Sequence, residues 1–398
     1  MNIAFVTAEY PPKNIGGAGI SSKLIVEELR KKGINVDVYA LTGTEKSCIK
    51  TNTNHYEIPN ANQFSVPPEI GGNLSVLKYL PDLSKYDITH CYNTGHCPAT
   101  ILKSDPPTVA TINNHMWVSI DPVQYLKEGG TAYNWKRMYN YSKTSGYSYQ
   151  NRIIRSLVER FAKSLIKRAG HLTVQTNGMK SVARNCGYQN QPISVVPNIV
   201  DPGFFNKSTS PDCTVNDKST MIFLGRLTNN KGIMDALNAF IELPAVIHRD
   251  WEFKIYGKGP VKGKVQQVIN DSPEYVDVEL DYVPYSELTS VYSQADVLIH
   301  SSKYTEPFSR TWLEAMASGT AIICSKNPSS KCVLSNVAEL YDPFDSDDLK
   351  KSLINVLKHA DIQDMADQGK EIVKKYHPNN VVDKYVDVYE NTIECSVE

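Results

Sequence analysis

Residues 221–240 read Met221-Ile222-Phe223-Leu224-Gly225-Arg226-Leu227-Thr228-Asn229-Asn230-Lys231-Gly232-Ile233-Met234-Asp235-Ala236-Leu237-Asn238-Ala239-Phe240. Four apolar residues make a short buried strand, the Gly/Asn stretch after them breaks it, and Ile233 to Phe240 resumes at helical spacing. Phe253 to Tyr256 is then a second apolar strand. Strand, polar loop, helix and strand in that order form a βαβ unit, whose two strands lie parallel in one sheet.

The same pattern opens the chain. Ile3 to Val6 is a strand, a Gly/Pro loop follows, Ile20, Leu24, Ile25 and Leu29 fall at helical spacing, and Val36 to Leu41 is the next strand beyond Gly33. After the second start come short apolar strands at Val276 to Leu280, Asp296 to His300 and Ala321 to Cys324, with helices over Ser286 to Ala295 and Thr311 to Ser318 between them. Helical patterns over Asp345 to Lys358 and Val381 to Thr392 end the chain. Such alternation demands parallel sheets covered by helices on both faces. At 398 residues the chain exceeds what one core organises, so two doubly wound domains are expected. The linker-like stretch Asn206 to Ser219 separates them, although Val195-Val196-Pro197 could already close the first; the boundary is expected near 200 to 218, and the domains are drawn as 1–205 and 206–377.

Bulk chemistry narrows the function. The formal charge is -1, from 42 basic and 43 acidic residues, so no global field favours nucleic acid or an anionic membrane, and any anion must be held locally. The first residues lack a basic flank and a cleavage site, and no run of about 18 apolar residues occurs, which points to a cytoplasmic enzyme. Eight scattered cysteines without a CxxC pair fit reduced thiols. The cluster His90-Cys91 with His96-Cys97 has no standard zinc spacing, so no metal is expected.

Three loops carry the chemistry. In Pro11-Pro12-Lys13-Asn14-Ile15-Gly16-Gly17-Ala18-Gly19, glycines sit where the first strand hands over to the first helix, so backbone amides can approach a phosphate at the positive end of the helix dipole. A plain tight turn would use the same glycines, and the spacing is not GxGxxG. In Gly225 to Gly232, Arg226 and Lys231 follow a strand in an open sheet, where ligands bind, and supply the charge a diphosphate needs. In Glu306-Pro307-Phe308-Ser309-Arg310-Thr311-Trp312-Leu313-Glu314, two carboxylates eight positions apart flank a turn into a helix. The amides of Phe308, Ser309 and Arg310 lie at that helix N-terminus, free to bind the donor phosphate.

Together these loops resemble glycosyltransferase family four, of the GT-B fold. The likeness extends to Leu313-Glu314-Ala-Met-Ala-Ser-Gly319, Pro197-Asn198 with Asp201 and Phe205, Tyr256-Gly257-Lys258-Gly259-Pro260, and Val283-Pro284 through Leu288, Tyr292 and Asp296. It implies two Rossmann-like domains facing a central cleft, the first for the acceptor and the second for the donor, with a helix near 378–393 crossing back to the first. It implies that Arg226 and Lys231 bind the donor diphosphate, Glu314 the ribose hydroxyls and Glu306 the transferred sugar. Gly16 and Gly17 would serve the distal phosphate. Family members retain anomeric configuration, with the leaving phosphate as base and no enzyme nucleophile. No cofactor is implied: the nucleotide sugar, UDP- or GDP-linked, is a substrate.

The chain departs from the family at Ser309, where Gly is usual, at Ile199, and from Ser325 to Lys331, where a Gly pair is missing. The family's first-domain His falls by count on Asn113, with His115 two positions on as the candidate catalytic imidazole; His115 equally reads as a loop residue packed by Trp117. His90 is a weaker candidate. The tract Trp117 to Tyr149, rich in Tyr, Trp and Gly, reads as a lid over an acceptor sugar or as a surface loop. From Arg152 to Arg168 the apolar positions 153, 154, 157, 158, 161, 162, 165 and 166 form one helical face opposite six cations and one acid. That face suits either the protein's own sheet or the inner face of a membrane carrying a lipid-linked acceptor. The expected function is retaining, metal-independent sugar transfer to a glycan, lipid-linked or small-molecule hydroxyl. A nucleotide-sugar epimerase and an inactive sugar-binding protein are the alternatives, with a nicotinamide dehydrogenase further off.

Overall fold

The computed structural model describes residues 1–13, 16–64, 66, 68–118, 122–128, 149–205 and 218–397. The chain divides into two units, Met1–Ile199 with Pro378–Glu398, and Val200–His377. The crossing falls six residues before the boundary drawn from sequence. The Val200 amide donates to the Tyr376 carbonyl, and Val200 and Phe204 enter the core of the second unit, so apolar burial at Val200 decides the boundary. Tyr133 and Trp135 of the lid tract and most of the 206–219 linker lie outside the described residues.

The first unit carries β1 (Asn2–Thr7), β2 (Asn35–Gly43), β3 (Ile49–Asn52), β4 (His55–Pro59), β5 (Ile88–Tyr92), β6 (Thr108–Ile112), β7 (His171–Val174) and β8 (Ile193–Val195) in the order β3-β4-β2-β1-β5-β6-β7-β8. Every pairing is parallel except β3 with β4. Ile3 to Val6 are completely buried, as a central strand covered on both faces requires. The helix Gly17–Lys31 packs Ile25, Val26 and Leu29 into one core. The terminal helix Pro378–Val397 adds Val381, Val382, Tyr385 and Tyr389 to that same core, so it belongs to the first unit.

The second unit carries β9 (Ser219–Leu224), β10 (Trp251–Tyr256), β11 (Val278–Asp281), β12 (Val297–His300), β13 (Ala321–Ser325) and β14 (Ala338–Tyr341), all parallel, in the order β11-β10-β9-β12-β13-β14. The chain winds outward from β9 in one direction, then from β12 in the other. β9 and β12 therefore flank the topological switch point, and the loops after them open side by side at the sheet's carboxyl edge. Sequence reading passed over the helix Ile362–Val373, which is capped by Asp361 and packs on Arg310–Ser318.

The Arg152 to Arg168 stripe divides. Ala162, Leu165 and Ile166 are buried against the sheet, whereas Ile153, Ile154, Leu157 and Phe161 are exposed. Docking on the protein therefore accounts for only half of the face.

Candidate functional site

Backbone geometry explains the glycines around Arg226 and Lys231. Gly232 takes φ +67, and a Cβ there would lie 2.0 Å from the Ser301 carbonyl oxygen, so only glycine lets the loop after β9 close against the loop after β12. Gly257 is equally tight, its Cβ position 2.0 Å from the Gly225 oxygen, and the Leu227 amide bonds the Lys258 carbonyl at 2.9 Å. The Tyr256-Gly257-Lys258-Gly259 motif is thus a seat for the Arg226 loop.

On this frame Lys231 and Glu306 meet. The Lys231 ammonium donates to Glu306 Oε1, which also accepts from the Ser302 hydroxyl at 2.8 Å and lies 3.6 Å from His300 Nε2. The Tyr304 ring lies 5.2 Å from the ammonium. Burial alone would raise the Glu306 carboxyl, but Lys231, His300 and Ser302 outweigh it and bring the pKa down to about 2. Burial would lower Lys231; Glu306 and Tyr304 instead hold it above the usual ammonium range. His300 is lowered to about 4 by burial, so it is neutral at physiological pH. Tyr304 is raised to about 12 by burial and by Glu306. At physiological pH the site thus holds an anion beside a cation.

Glu314 forms a second centre, 2% exposed. Its Oε1 is 3.3 Å from Arg310 Nε, and its Oε2 accepts from the Tyr292 hydroxyl at 3.2 Å. Burial raises its pKa, partly opposed by Arg310 and Tyr292. Phe308 is buried, and Ser309 is the N-cap of Arg310–Ser318, its hydroxyl paired with the Thr311 hydroxyl at 2.8 Å and making no cap bond. Arg226 is exposed.

In the first unit, Gly16 is the N-cap of Gly17–Lys31, and a Cβ on it would lie 2.5 Å from Glu9 Oε2. Tying the loops after β1 and β5 together, Asn93 Oδ1 accepts from the Thr7 hydroxyl at 2.9 Å and from the Ala8 amide at 3.1 Å. His115 is buried in the turn after β6, and its carbonyl accepts from the Val118 amide at 3.0 Å. Both ring nitrogens of His90 are engaged, with the Tyr389 and Thr111 hydroxyls at 2.6 and 2.7 Å, and burial lowers its pKa to about 3. His90 is therefore a neutral strut under the terminal helix.

The structure brings Lys231 to Glu306 and Arg310 to Glu314, pairings that sequence reading kept apart. It also adds His300, Ser302, Tyr304 and Tyr285. His300 carried a legible signal as the last residue of a buried strand beside the switch point; the tyrosines, among 23 in the chain, carried none.

Two doubly wound parallel-sheet units, each with candidate loops at a switch point, are the components of the GT-B architecture. The model of the group 1 glycosyl transferases matches residues 211–375 and that of glycosyltransferase family 4 matches 15–204, and the chain belongs to this family. An uncharacterised glycosyltransferase of Methanocaldococcus jannaschii is 24% identical over 99% of both chains. Among solved structures, sucrose-phosphate synthase of Thermosynechococcus elongatus superposes with TM-score 0.76 at 16% identity, covering 99% of this chain and 100% of that one. Anabaena HepE in complex with UDP and glucose gives 0.72 at 14%, covering 98% and 100%. The protein is a glycosyltransferase.

Proposed function

We propose that this enzyme moves a hexose or similar sugar from a UDP- or GDP-sugar to an acceptor hydroxyl with retention of configuration and without a metal. The observation that carries this reading is the Lys231–Glu306 pair at the β9/β12 switch point, its carboxylate buried and its ammonium partly exposed, with exposed Arg226 on the same loop. A diphosphate leaving group needs positive charge, which Arg226 and Lys231 supply from side chains. Glu306, held ionised, is an acceptor for sugar hydroxyls near the developing oxocarbenium centre, and Glu314 takes the ribose. Gly16 and Gly17 offer amides to the distal phosphate, His115 stabilises charge near the anomeric carbon, and the leaving phosphate is the base. The complex of the Anabaena relative with UDP and glucose supports a UDP-sugar. Incubation with UDP-glucose and GDP-mannose, with and without EDTA, is expected to release nucleoside diphosphate equally in both arms, with the α anomer formed first by NMR. Release that EDTA abolishes refutes metal independence. Epimerised sugar indicates the epimerase, and no turnover an inactive binding protein.

We also propose peripheral contact with an anionic bilayer, presenting a lipid-linked acceptor. Helices Pro68–Tyr79, Cys97–Lys103 and Tyr149–Ile166 pack in a row. They expose Leu77, Leu102, Leu157 and Phe161, the last two at 70% and 63%, beside Lys78, Lys103, Arg160 and Lys167. A second copy of the same face would set cations against cations. Leu157→Asp with Phe161→Asp should abolish sedimentation with phosphatidylglycerol vesicles, and unchanged binding refutes the proposal.

A further inference from the structure

We propose that Tyr285 and Asp201 act with Arg310 as a relay that positions Glu314 for the donor ribose, making them positioning residues of a site whose direct ligand is the Glu314 carboxylate. The proposal rests on the reading that Glu314 accepts the ribose hydroxyls.

The chain of contacts is continuous and lies within the second unit. Asp201 Oδ2 accepts from the Tyr285 hydroxyl at 3.1 Å. The same hydroxyl oxygen accepts from Arg310 Nη2 at 2.8 Å. Arg310 Nε lies 3.3 Å from Glu314 Oε1, one helical turn on. The other carboxylate oxygen is fixed by the Tyr292 hydroxyl. Each relay member is itself anchored: Asp201 Oδ1 accepts from the Gly203 amide at 3.0 Å, and Phe204 sits edge-on to both Tyr285 and Tyr292 at 6.1 and 5.7 Å.

This arrangement solves a specific problem. A fully buried carboxylate inside a helix is costly to keep ionised, yet it must be ionised to accept two ribose hydroxyls strongly. Arg310 supplies the countercharge, but a guanidinium on a flexible stem has many rotamers. The Tyr285 oxygen, polarised by Asp201, holds one end of the fork so that Nε stays on Oε1. Arg310 is therefore spent on Glu314, and the proposal assigns it no side-chain contact with phosphate. The titratable groups facing Glu314 are Arg310 on its own helix, Tyr292 from Leu288–Ser293, Tyr285 from the turn Tyr285–Glu287, and Asp201 from the segment before Pro202–Phe205.

The test compares UDP and GDP with their 2′,3′-dideoxy counterparts by calorimetry. Glu314→Gln is the reference and should weaken the ribonucleotide by about tenfold to a hundredfold while sparing the dideoxy form. Tyr285→Phe keeps the ring packing and removes only the hydroxyl, and it should weaken the ribonucleotide by about three- to tenfold, again sparing the dideoxy form. Asp201→Asn should act in the same direction. In Arg310→Met the lost cation leaves the Glu314 pKa higher, so ribonucleotide binding should weaken from a higher pH than in the parent as pH falls. The dideoxy ligand corrects for titration of the phosphate. If Glu314→Gln affects both ligands alike, the ribose reading itself fails. If Glu314→Gln discriminates but Tyr285→Phe and Asp201→Asn weaken neither ligand or both equally, the relay is overturned and the reading stands.

Discussion

The Lys231 ammonium is hydrogen-bonded to the Glu306 carboxylate across 75 positions of sequence, joining the loop after β9 to the loop after β12. Each is the other's main electrostatic support in a buried setting. Removal of one partner leaves an uncompensated buried charge, which costs about 3–5 kcal/mol, whereas removing both charges costs far less. Lys231→Met should therefore lower the thermal midpoint more than the double variant Lys231→Met/Glu306→Gln. A double variant less stable than the single one contradicts the pairing.

Arg226 is exposed on the same loop and has freedom to reach a ligand. Arg226→Ala should weaken a nucleoside diphosphate by about 1.5–3 kcal/mol, as expected for one charge-assisted contact, and leave the nucleoside nearly unaffected. Calorimetric titration of both ligands decides this. Equal losses would show that the guanidinium does not touch phosphate.

Most of the fold was readable because short apolar strands alternating with amphipathic helices have one good solution, the doubly wound sheet. Glycines at strand ends marked both switch points. The helix Ile362–Val373 was passed over although its signal is in the sequence: Ile362, Met365, Ala366, Gly369, Ile372 and Val373 recur at helical spacing behind the Asp361 cap. The crossing lies at the early edge of the 200–218 range, six residues before 205, because polarity marks a linker, whereas Val200 and Phe204 choose their core by contacts that sequence spacing does not carry. At the candidate site, Lys231 and Glu306 were each singled out by the sequence as candidates. Their pairing was not, since it depends on the order β9-β12 in the sheet and on the close approach of Gly232 to Ser301.

His300 gives a pH signature. Its folded pKa is about 4, below the unfolded value of about 6.5, so between those values the unfolded chain holds the extra proton. Stability contributed by the neutral buried ring is present above pH 6.5 and is lost as pH falls toward 4. Each pH unit inside the window costs about 1.4 kcal/mol. The drop in thermal midpoint from pH 7 to pH 5 should be smaller in His300→Gln than in the parent. An identical drop in the two proteins would remove His300 as its source.

Glu306 and Glu314 should separate kinetically. Glu314 is proposed to hold the ribose, which does not change during transfer, so an interaction there is equally strong in the ground and transition states. Its loss in Glu314→Ala should raise donor KM and leave kcat close to the parent. Glu306 is proposed to hold the transferred sugar, where positive charge grows as the glycosidic bond breaks. A carboxylate kept ionised down to about pH 2 is available to that charge throughout the working range. Glu306→Gln preserves shape and the Ser302 contact while removing the charge; because it also leaves Lys231 without its counter-charge, the rates are compared at a temperature where the variant is fully folded. It should lower kcat by about tenfold or more, an effect on the order of one charge-assisted hydrogen bond gained only in the transition state. Initial rates with donor varied at saturating acceptor decide the matter, and parental kcat in Glu306→Gln would show that this carboxylate does not act on the reacting sugar.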